Sequence, residues 1–269
     1  MALHIVVCVK RTPASTSVAV DSATGKVRTE GLPHGMNPQD EYAVEEALRI
    51  KEKNAGSRVS VLSAGGPESD EVIRTALALG CDEGALLSAP AFTGSDTLGT
   101  SHILAKAVEK LGKEKAPVSL VLFGKQSNDG ESGLTAGETA AWLGWPSVSF
   151  VRRLPAVTES EVTAERLMED GIETLKLKLP AVVSVTKEIN EPRLPSLRGK
   201  MAAKKAPVSK WGAAELGTDA SVTGSAGAGI EWGRLSPVPS RPSGTLIPGE
   251  TPEEKARNLA DKLKEAKLL

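Results

Sequence analysis

Short continuous apolar runs alternate along this chain with stretches whose apolar positions recur every three or four residues. Residues 3–9, LHIVVCV, are almost unbroken in apolar character, the pattern of a strand covered on both faces. Residues 37–54 read as a helix, with Asn37 as N-cap, Pro38 in the first turn and Asp40 and Glu41 beside its positive end. The pattern continues with a strand and turn at 58–66, a glycine-stopped helix at 71–80 and a strand at 84–89. A helix at 97–111 and a strand at 118–123 follow. Strands alternating with helices predict a parallel sheet with helices on both faces.

After Pro146 the pattern changes. SVSFVRRL, EVTAERLM, ETLKLKL and AVVSVT read as antiparallel strands that extend the same sheet, with EDG (169–171) as a hairpin turn. Beyond Pro207 the chain is rich in Gly, Ser, Ala and Pro, and it should form no core of its own. It ends in a helical pattern that opens with a capping box at Thr251 and Glu254. The expected fold is therefore α/β, a doubly wound, mostly parallel sheet with added antiparallel strands and an extended C-terminal arm. We place an α/β domain at 1–208 and the arm at 209–269.

Charge and cysteine content narrow the setting. Lys and Arg number 33 against 34 Asp and Glu, a net charge of −1, without the basic excess of a nucleic-acid binder. Cys8 and Cys81 stand far apart in apolar surroundings, which suits neither a disulfide framework nor a metal motif and fits a reducing cytoplasm. No apolar run reaches the roughly 18 residues of a membrane span. The charges follow the first apolar stretch, the reverse of a signal peptide.

In an open parallel sheet, ligands sit at the carboxyl ends of the strands, where the strand order reverses. Four segments should gather there: residues 8–11, the helix start at Asn37, SAGGPES (63–69) and the turn FGKQSNDGESGLTAG (123–137). Glycine-punctuated turns before helices offer backbone N–H groups and a helix dipole to phosphate. The familiar motifs do not fit. Ser119 stands where a Walker A loop needs its first glycine, and Gln126 follows Lys125. SAGGPESD is a weak match to the loop of ATP pyrophosphatases. His4, His34 and His102 show no metal-ligand spacing, and His4 reads as a packed strand residue. Asp129 and Glu131 could pair as carboxylates but read first as caps. The sequence offers a nucleotide site with no catalytic residues and no metal beside it.

Five stretches carry a family resemblance: VVCVKR (6–11), MNPQDEYAVEEALRIKEK (36–53), IRTALALGCDEG (73–84), LVLFGKQSNDG (120–130) and residues 173–206. The last holds LPAVVSV and NEPR. Together they resemble the β (small) subunit of electron transfer flavoprotein, across most of residues 3–206. The resemblance implies an adenine-nucleotide-binding, Rossmann-like fold and a heterodimer with an α subunit that holds most of the FAD. In the common members the β subunit buries an AMP without a redox role.

Carried over by position, the AMP site comprises Cys8, Asn37, Pro38, Gln39, Asp40 and Ala64, with the loop Gly124, Lys125, Gln126, Ser127, Asn128, Asp129, Gly130, Glu131, Ser132, Gly133, Leu134 and Thr135. Residues 184–206 match the loop by which the family docks on acyl-CoA dehydrogenases. Within it we expect Asn190, Glu191, Pro192, Arg193, Leu194, Leu197, Arg198, Lys200 and Met201 to face the partner, with Leu197 as the inserted anchor and the lysines as steering charges.

The resemblance thus implies an electron carrier that passes electrons from acyl-CoA dehydrogenases to a quinone-linked acceptor. Ser15 and Gln39 replace bulkier residues that many relatives carry near the flavin. AFTGSDTLGTS (91–101) and SLRGKMAAKKA (196–206) look like the flavin-bifurcating branch, in which a second FAD and NAD(H) occupy the β subunit. DGESGLT (129–135) lacks the Asp-Gly-Asp-Thr associated with that branch, and WLGWP (142–146) resembles the ordinary one. AMP is the expectation and a second FAD the alternative. A stand-alone adenine-nucleotide binder or ATP pyrophosphatase is the reading from another class.

Overall fold

Strand β1 (His4–Cys8) is buried at every residue, as its unbroken apolar run predicts. The computed structural model describes the chain except Met1, Thr16, Ser17, Ser22, Glu231, Trp232, Pro237, Val238, Ser240, Arg241 and Pro242, so parts of the expected arm lie outside the described residues. Short strands β2 (Arg11–Pro13), β3 (Ala19–Val20), β4 (Val27–Arg28) and β5 (His34–Met36) lead to helix α1 (Pro38–Lys53). Strand and helix then alternate through β6 (Arg58–Ala64), α2 (Asp70–Leu79), β7 (Glu83–Leu87), α3 (Thr97–Glu114), β8 (Leu120–Gly124) and α4 (Thr135–Leu143). Next come β9 (Ser147–Val157), β10 (Glu161–Met168), β11 (Gly171–Lys178) and β12 (Ala181–Val185). Helix α5 (Leu197–Lys205), strand β13 (Val208–Trp211) and short helices α6 (Ala213–Leu216) and α7 (Gly224–Gly227) complete this part.

One nine-stranded sheet runs β11-β10-β9-β12-β8-β1-β6-β7-β13. Every pair from β9 across to β13 is parallel, and β9, β10 and β11 pair antiparallel. Ile5 and Val7 pack with α1 and α2 on one face, while Val6 and Cys8 pack with α3 and α4 on the other. The fold is the doubly wound α/β arrangement that the sequence predicts. Its strand order builds outward in both directions from β1, through β6 on one side and β8 on the other. A crevice therefore opens between the carboxyl ends of β1 and β8.

The structure corrects several sequence expectations. AVVSV forms β12, a central strand parallel to both β8 and β9, not part of an antiparallel extension. All five of its residues are buried, and burial on both faces is what its continuous apolar run encodes. Glu169 and Asp170 do form the expected hairpin turn, because Met168 pairs with Gly171. The apparently core-less stretch after Pro207 starts with β13, which adds to the sheet edge beside β7 and buries Trp211 on the second face.

The chain divides into two compact units, 1–18 with 28–233, and 19–27 with 234–269. Residues 209–233, read from the sequence as the start of the arm, lie in the first unit. In the second, helix α8 (Pro252–Glu265) has no buried residue. Thr251 caps it by accepting from the N–H of Glu254 at 3.2 Å, but Glu254 reaches back to the N–H of Glu250 at 2.9 Å. Its partner lies one residue before the capping-box position. Among the described residues no helix is long and apolar enough to cross a membrane.

Candidate functional site

A cleft of about 510 Å³ occupies the crevice at the ends of β1 and β8. Cys8 and Phe123 supply its apolar floor, and most of residues 124–136 form one wall. Of the expected nucleotide residues, Cys8, Asn37, Asp40, Ala64, Gly124, Lys125, Gln126, Ser127, Asp129, Gly130, Ser132, Gly133, Leu134 and Thr135 line it. Pro38, Gln39, Asn128 and Glu131 do not. Pro38 opens α1, and the backbone of Gln39 packs against Gly124. Asn128 turns its N–H to Asn37, and Glu131 takes φ 50 on the exposed side of the turn.

Asn37 holds this wall in place. The sequence suggests a helix cap, but its side chain makes no capping bond. Instead its Nδ2 donates to Asp40 Oδ1 at 2.9 Å and to Gln126 O at 2.9 Å, while its Oδ1 accepts from Asn128 N–H at 3.1 Å. The loop of 124–135 is thus fastened to the start of α1 by one side chain. Gly124 is required beneath it, since a Cβ there would lie 2.5 Å from Asp40 Oδ1 and 2.5 Å from the carbonyl carbon of Gln39.

The two helix ends facing the cleft differ in what they leave free. At α3, Asp96 caps the helix by accepting from Gly99 N–H at 2.9 Å, which places a carboxylate where an anion would go. At α4 the N-cap position is Leu134, and no side chain caps the helix. The first N–H groups of α4 therefore remain available as phosphate donors. Lys10, which the sequence reading placed at the edge without assigning it a role, also lines the cleft and pairs with Asp129 at 2.7 Å. Lys125 points its ammonium 5.6 Å from the centre of the Phe150 ring.

Asp40 is a buried titratable group of the site, as is Cys8 beside it. Burial pushes its carboxyl up to about 7, against hydrogen bonds from Asn37, Lys10 N–H and Gly124 N–H that favour the carboxylate. The ordinary value is 3.8, so the fold favours the protonated acid. That contribution is complete below 3.8 and is lost as pH rises toward 7. An Asp40→Asn protein should lack this component, so its stability relative to wild type should rise steadily between these two pH values in melting experiments. Parallel melting curves across that window would remove Asp40 as a titrating group.

The segment SAGGPES contributes only Ala64. Glu68 folds its carboxylate over Gly66, 2.4 Å from where a Cβ would sit, and so occupies the turn that a pyrophosphate would need. Sequence reasoning missed the opposite wall, made by Ser95, Asp96, Thr97, Thr100 and Leu104 with Ile230. The signal for it was the AFTGSDTLGTS stretch, noted only for its family likeness. His4 is packed, as expected, with Nδ1 2.8 Å from Ala116 O and Nε2 2.8 Å from Ser60 Oγ.

A family model described as electron transfer flavoprotein domain matches residues 24–216. The chain belongs to the electron transfer flavoprotein family. It is 36% identical, over 99% of its length and 100% of the relative's, to the caffeyl-CoA reductase-Etf complex subunit CarD of Acetobacterium woodii. The electron transfer flavoprotein subunit beta of Megasphaera elsdenii is 32% identical over 94% of both chains. Protein FixA of Bradyrhizobium diazoefficiens is 32% identical over 96% of this chain and 90% of its own. The cleft just described lies within the residues that the electron transfer flavoprotein domain covers, apart from its first residues and Ile230.

In this electron transfer flavoprotein subunit, the 184–206 segment is not a loop throughout. Ser196 caps α5 by accepting from Gly199 N–H at 3.0 Å, so Leu197 opens a helix instead of sitting in the expected loop. Gly199 lets α5 lie against Ala78 of α2, and Arg74 donates to Ala203 O at the far end at 2.7 Å. Asn190 and Arg193 turn inward. Asn190 donates to Glu46 Oε2 at 3.0 Å, and Arg193 bridges Glu45 at 2.7 Å and Glu52 at 2.5 Å. Leu194, Leu197 and Met201 point outward, 91%, 77% and 61% exposed. Glu191, Arg198 and Lys200 are exposed among them, and Pro192 is half-buried.

Proposed function

We propose that this electron-transfer subunit pairs with an FAD-bearing α subunit and holds the adenosine phosphate of a nucleotide cofactor in its own cleft. The observation that carries the reading is the cleft itself. It lies at the switch point between β1 and β8, and an uncapped helix N-terminus faces it across a glycine-bearing loop. The residues fit a nucleotide, because Gly124 leaves room beside Asn37 and Asp40 while the amides of α4 face the phosphate side.

The cofactor is a second FAD in preference to AMP. The cleft extends beyond the cradle that 124–135 forms, to a second wall of hydroxyl and apolar groups at 95–104 and Ile230. On this reading a dinucleotide flavin would meet that wall as well as the phosphate cradle. The stretch that resembles the bifurcating branch builds this same wall, and CarD, a subunit of a reductase complex, is similar over the whole chain. AMP remains the second reading, supported by DGESGLT in the phosphate loop. The flavin supplies the redox chemistry when bound. Lys10, Ser127 and the α4 amides would hold phosphate oxygens, Cys8 and Phe123 would exclude water, and Thr97 would meet hydroxyl groups. The subunit adds no catalytic group of its own.

The exposed Leu194, Leu197 and Met201 form the docking patch for an acyl-CoA dehydrogenase-type flavoprotein. Arg193 holds that patch in position from behind. On this reading a quinone-linked acceptor belongs to the AMP alternative, and the apolar positions of α8 dock on the α subunit.

The test is the nucleotide content of the purified heterodimer, released by acid and separated by chromatography. Two FAD and no AMP per heterodimer is the expected result. One FAD with one AMP moves the protein to the second reading. A heterodimer whose only nucleotide belongs to the α subunit overturns both.

A further inference from the structure

Residues 218–230 carry no apolar periodicity, yet backbone hydrogen bonds lace them to the second wall of the cleft. Asp219 N–H donates to His102 Nε2 at 3.2 Å, and Gly224 N–H donates to Ser95 Oγ at 2.7 Å. Ser225 N–H donates to Thr93 O at 3.0 Å, and Gly229 N–H to Asp96 Oδ2 at 2.8 Å. Two glycines allow this close approach. A Cβ on Gly99 would lie 2.7 Å from Val222 O, and one on Gly224, at φ 69, would lie 2.5 Å from Ala91 O. The segment ends at Ile230, which itself lines the cleft.

Building on the nucleotide reading above, we propose that residues 218–230 are a strap that retains the nucleotide, with His102 as the positioning residue that latches it. His102 is buried on α3 and stands edge-on to Trp142, with ring centres 4.7 Å apart. Because the Asp219 N–H donates to Nε2, the ring proton belongs on Nδ1, which is buried and has no partner. A second proton, on Nε2, would turn a donor toward a donor and open the latch. The charged groups acting on the ring are Lys106 and Glu109 from α3 and Asp219 from the strap, while α4 presents the uncharged Trp142. Burial first, then Lys106, holds the imidazole below its ordinary 6.5. A lowered histidine favours the closed strap above 6.5, and that preference is lost as pH falls below it.

The experiment follows nucleotide release from the heterodimer, with excess free FAD as the chase, together with amide hydrogen exchange over 218–230. His102→Phe removes the acceptor, and Gly99→Ala pushes the strap from α3 while favouring the helix. Both should release nucleotide about fivefold faster or more, the equivalent of one lost hydrogen bond, and raise exchange in the strap but not in β1 or β8. His102→Gln keeps an acceptor at the Nε2 position and cannot titrate. It should retain slow release and lose the acceleration that wild type shows below 6.5. Unchanged release in both the Phe and Ala variants, or persisting acid acceleration in the Gln variant, overturns the strap. A wild-type heterodimer with no nucleotide in this subunit overturns the proposed function and the strap with it. A loaded wild type with unaffected variants overturns the strap alone.

Discussion

Gly124→Ala heterodimer should purify with the nucleotide site of this subunit empty. The added methyl would meet Asp40 Oδ1 at 2.5 Å, Gln39 C at 2.5 Å and Gln39 O at 2.6 Å. Two of those atoms are backbone, so no rotamer change relieves the contact. The end of β8 must separate from the start of α1, and the Asn37 bonds that carry the 124–135 loop separate with it. Overpacking of this kind costs about 1–3 kcal/mol of stability. A loss of about 2 kcal/mol in nucleotide binding corresponds to roughly 30-fold in Kd. Gly137→Ala is the control, because a Cβ on Gly137, in α4, meets nothing within 4 Å. It should keep its nucleotide and gain a little helix stability, up to about 1 kcal/mol. A Gly124→Ala protein that holds nucleotide and melts as wild type does would refute this account of the cradle.

The second large effect is expected at Arg193, where position and docking are separable. Its guanidinium bridges Glu45, whose side chain is 8% exposed, and Glu52, which is more than half exposed. Removing one partner of a buried pair costs about 3–5 kcal/mol because the other charge is stranded. Arg193 is itself 34% exposed, so solvent screens part of that cost and about 2 kcal/mol is the fitting expectation. Arg193→Ala should therefore lower the melting temperature and also slow reduction by the dehydrogenase, since the outward leucines lose their support. Leu197→Ala should slow the same reaction by about 2 kcal/mol of docking energy, roughly 30-fold, with no thermal cost. Chemical reduction of the flavin should be unchanged in both. If Leu197→Ala is reduced at the wild-type rate, the leucine patch is not the docking surface. If Arg193→Ala melts normally, α1 does not hold the segment through this arginine.

Elements whose signal is local were legible in the sequence. β8 and, after His4, β1 are apolar because both of their faces are covered, and α1 and α2 are bounded by proline and glycine at the positions read from the chain. Alternation of strands and helices implied a parallel sheet with a ligand crevice at its carboxyl edge, and the strand order of the fold places that crevice between β1 and β8. Segments with weaker local signal were misplaced. AVVSV has the burial of a central parallel strand, but its neighbours in sequence are antiparallel and drew it into their group. Residues 184–206 read as a loop, although Ser196 as cap and Gly199 as contact make 197–205 a helix on α2. Asn37 looked like a cap, and only the fold brings Gln126 and Asn128 within its reach, through bonds spanning 89 and 91 residues.

The sequence by itself determined the α/β class, the family and the glycine-punctuated loop that walls the cleft, because those depend on periodicity, turn residues and contiguous motifs. Tertiary structure alone decided the far wall of the cleft, the inward turn of Arg193 and the course of residues 218–230. These rest on hydrogen bonds between residues more than 100 positions apart, such as Asp219 N–H to His102 across 117 residues and Gly229 N–H to Asp96 across 133. Glycine, serine and aspartate in such places carry no periodic signal. Their partners are set by which segments the packed sheet brings side by side.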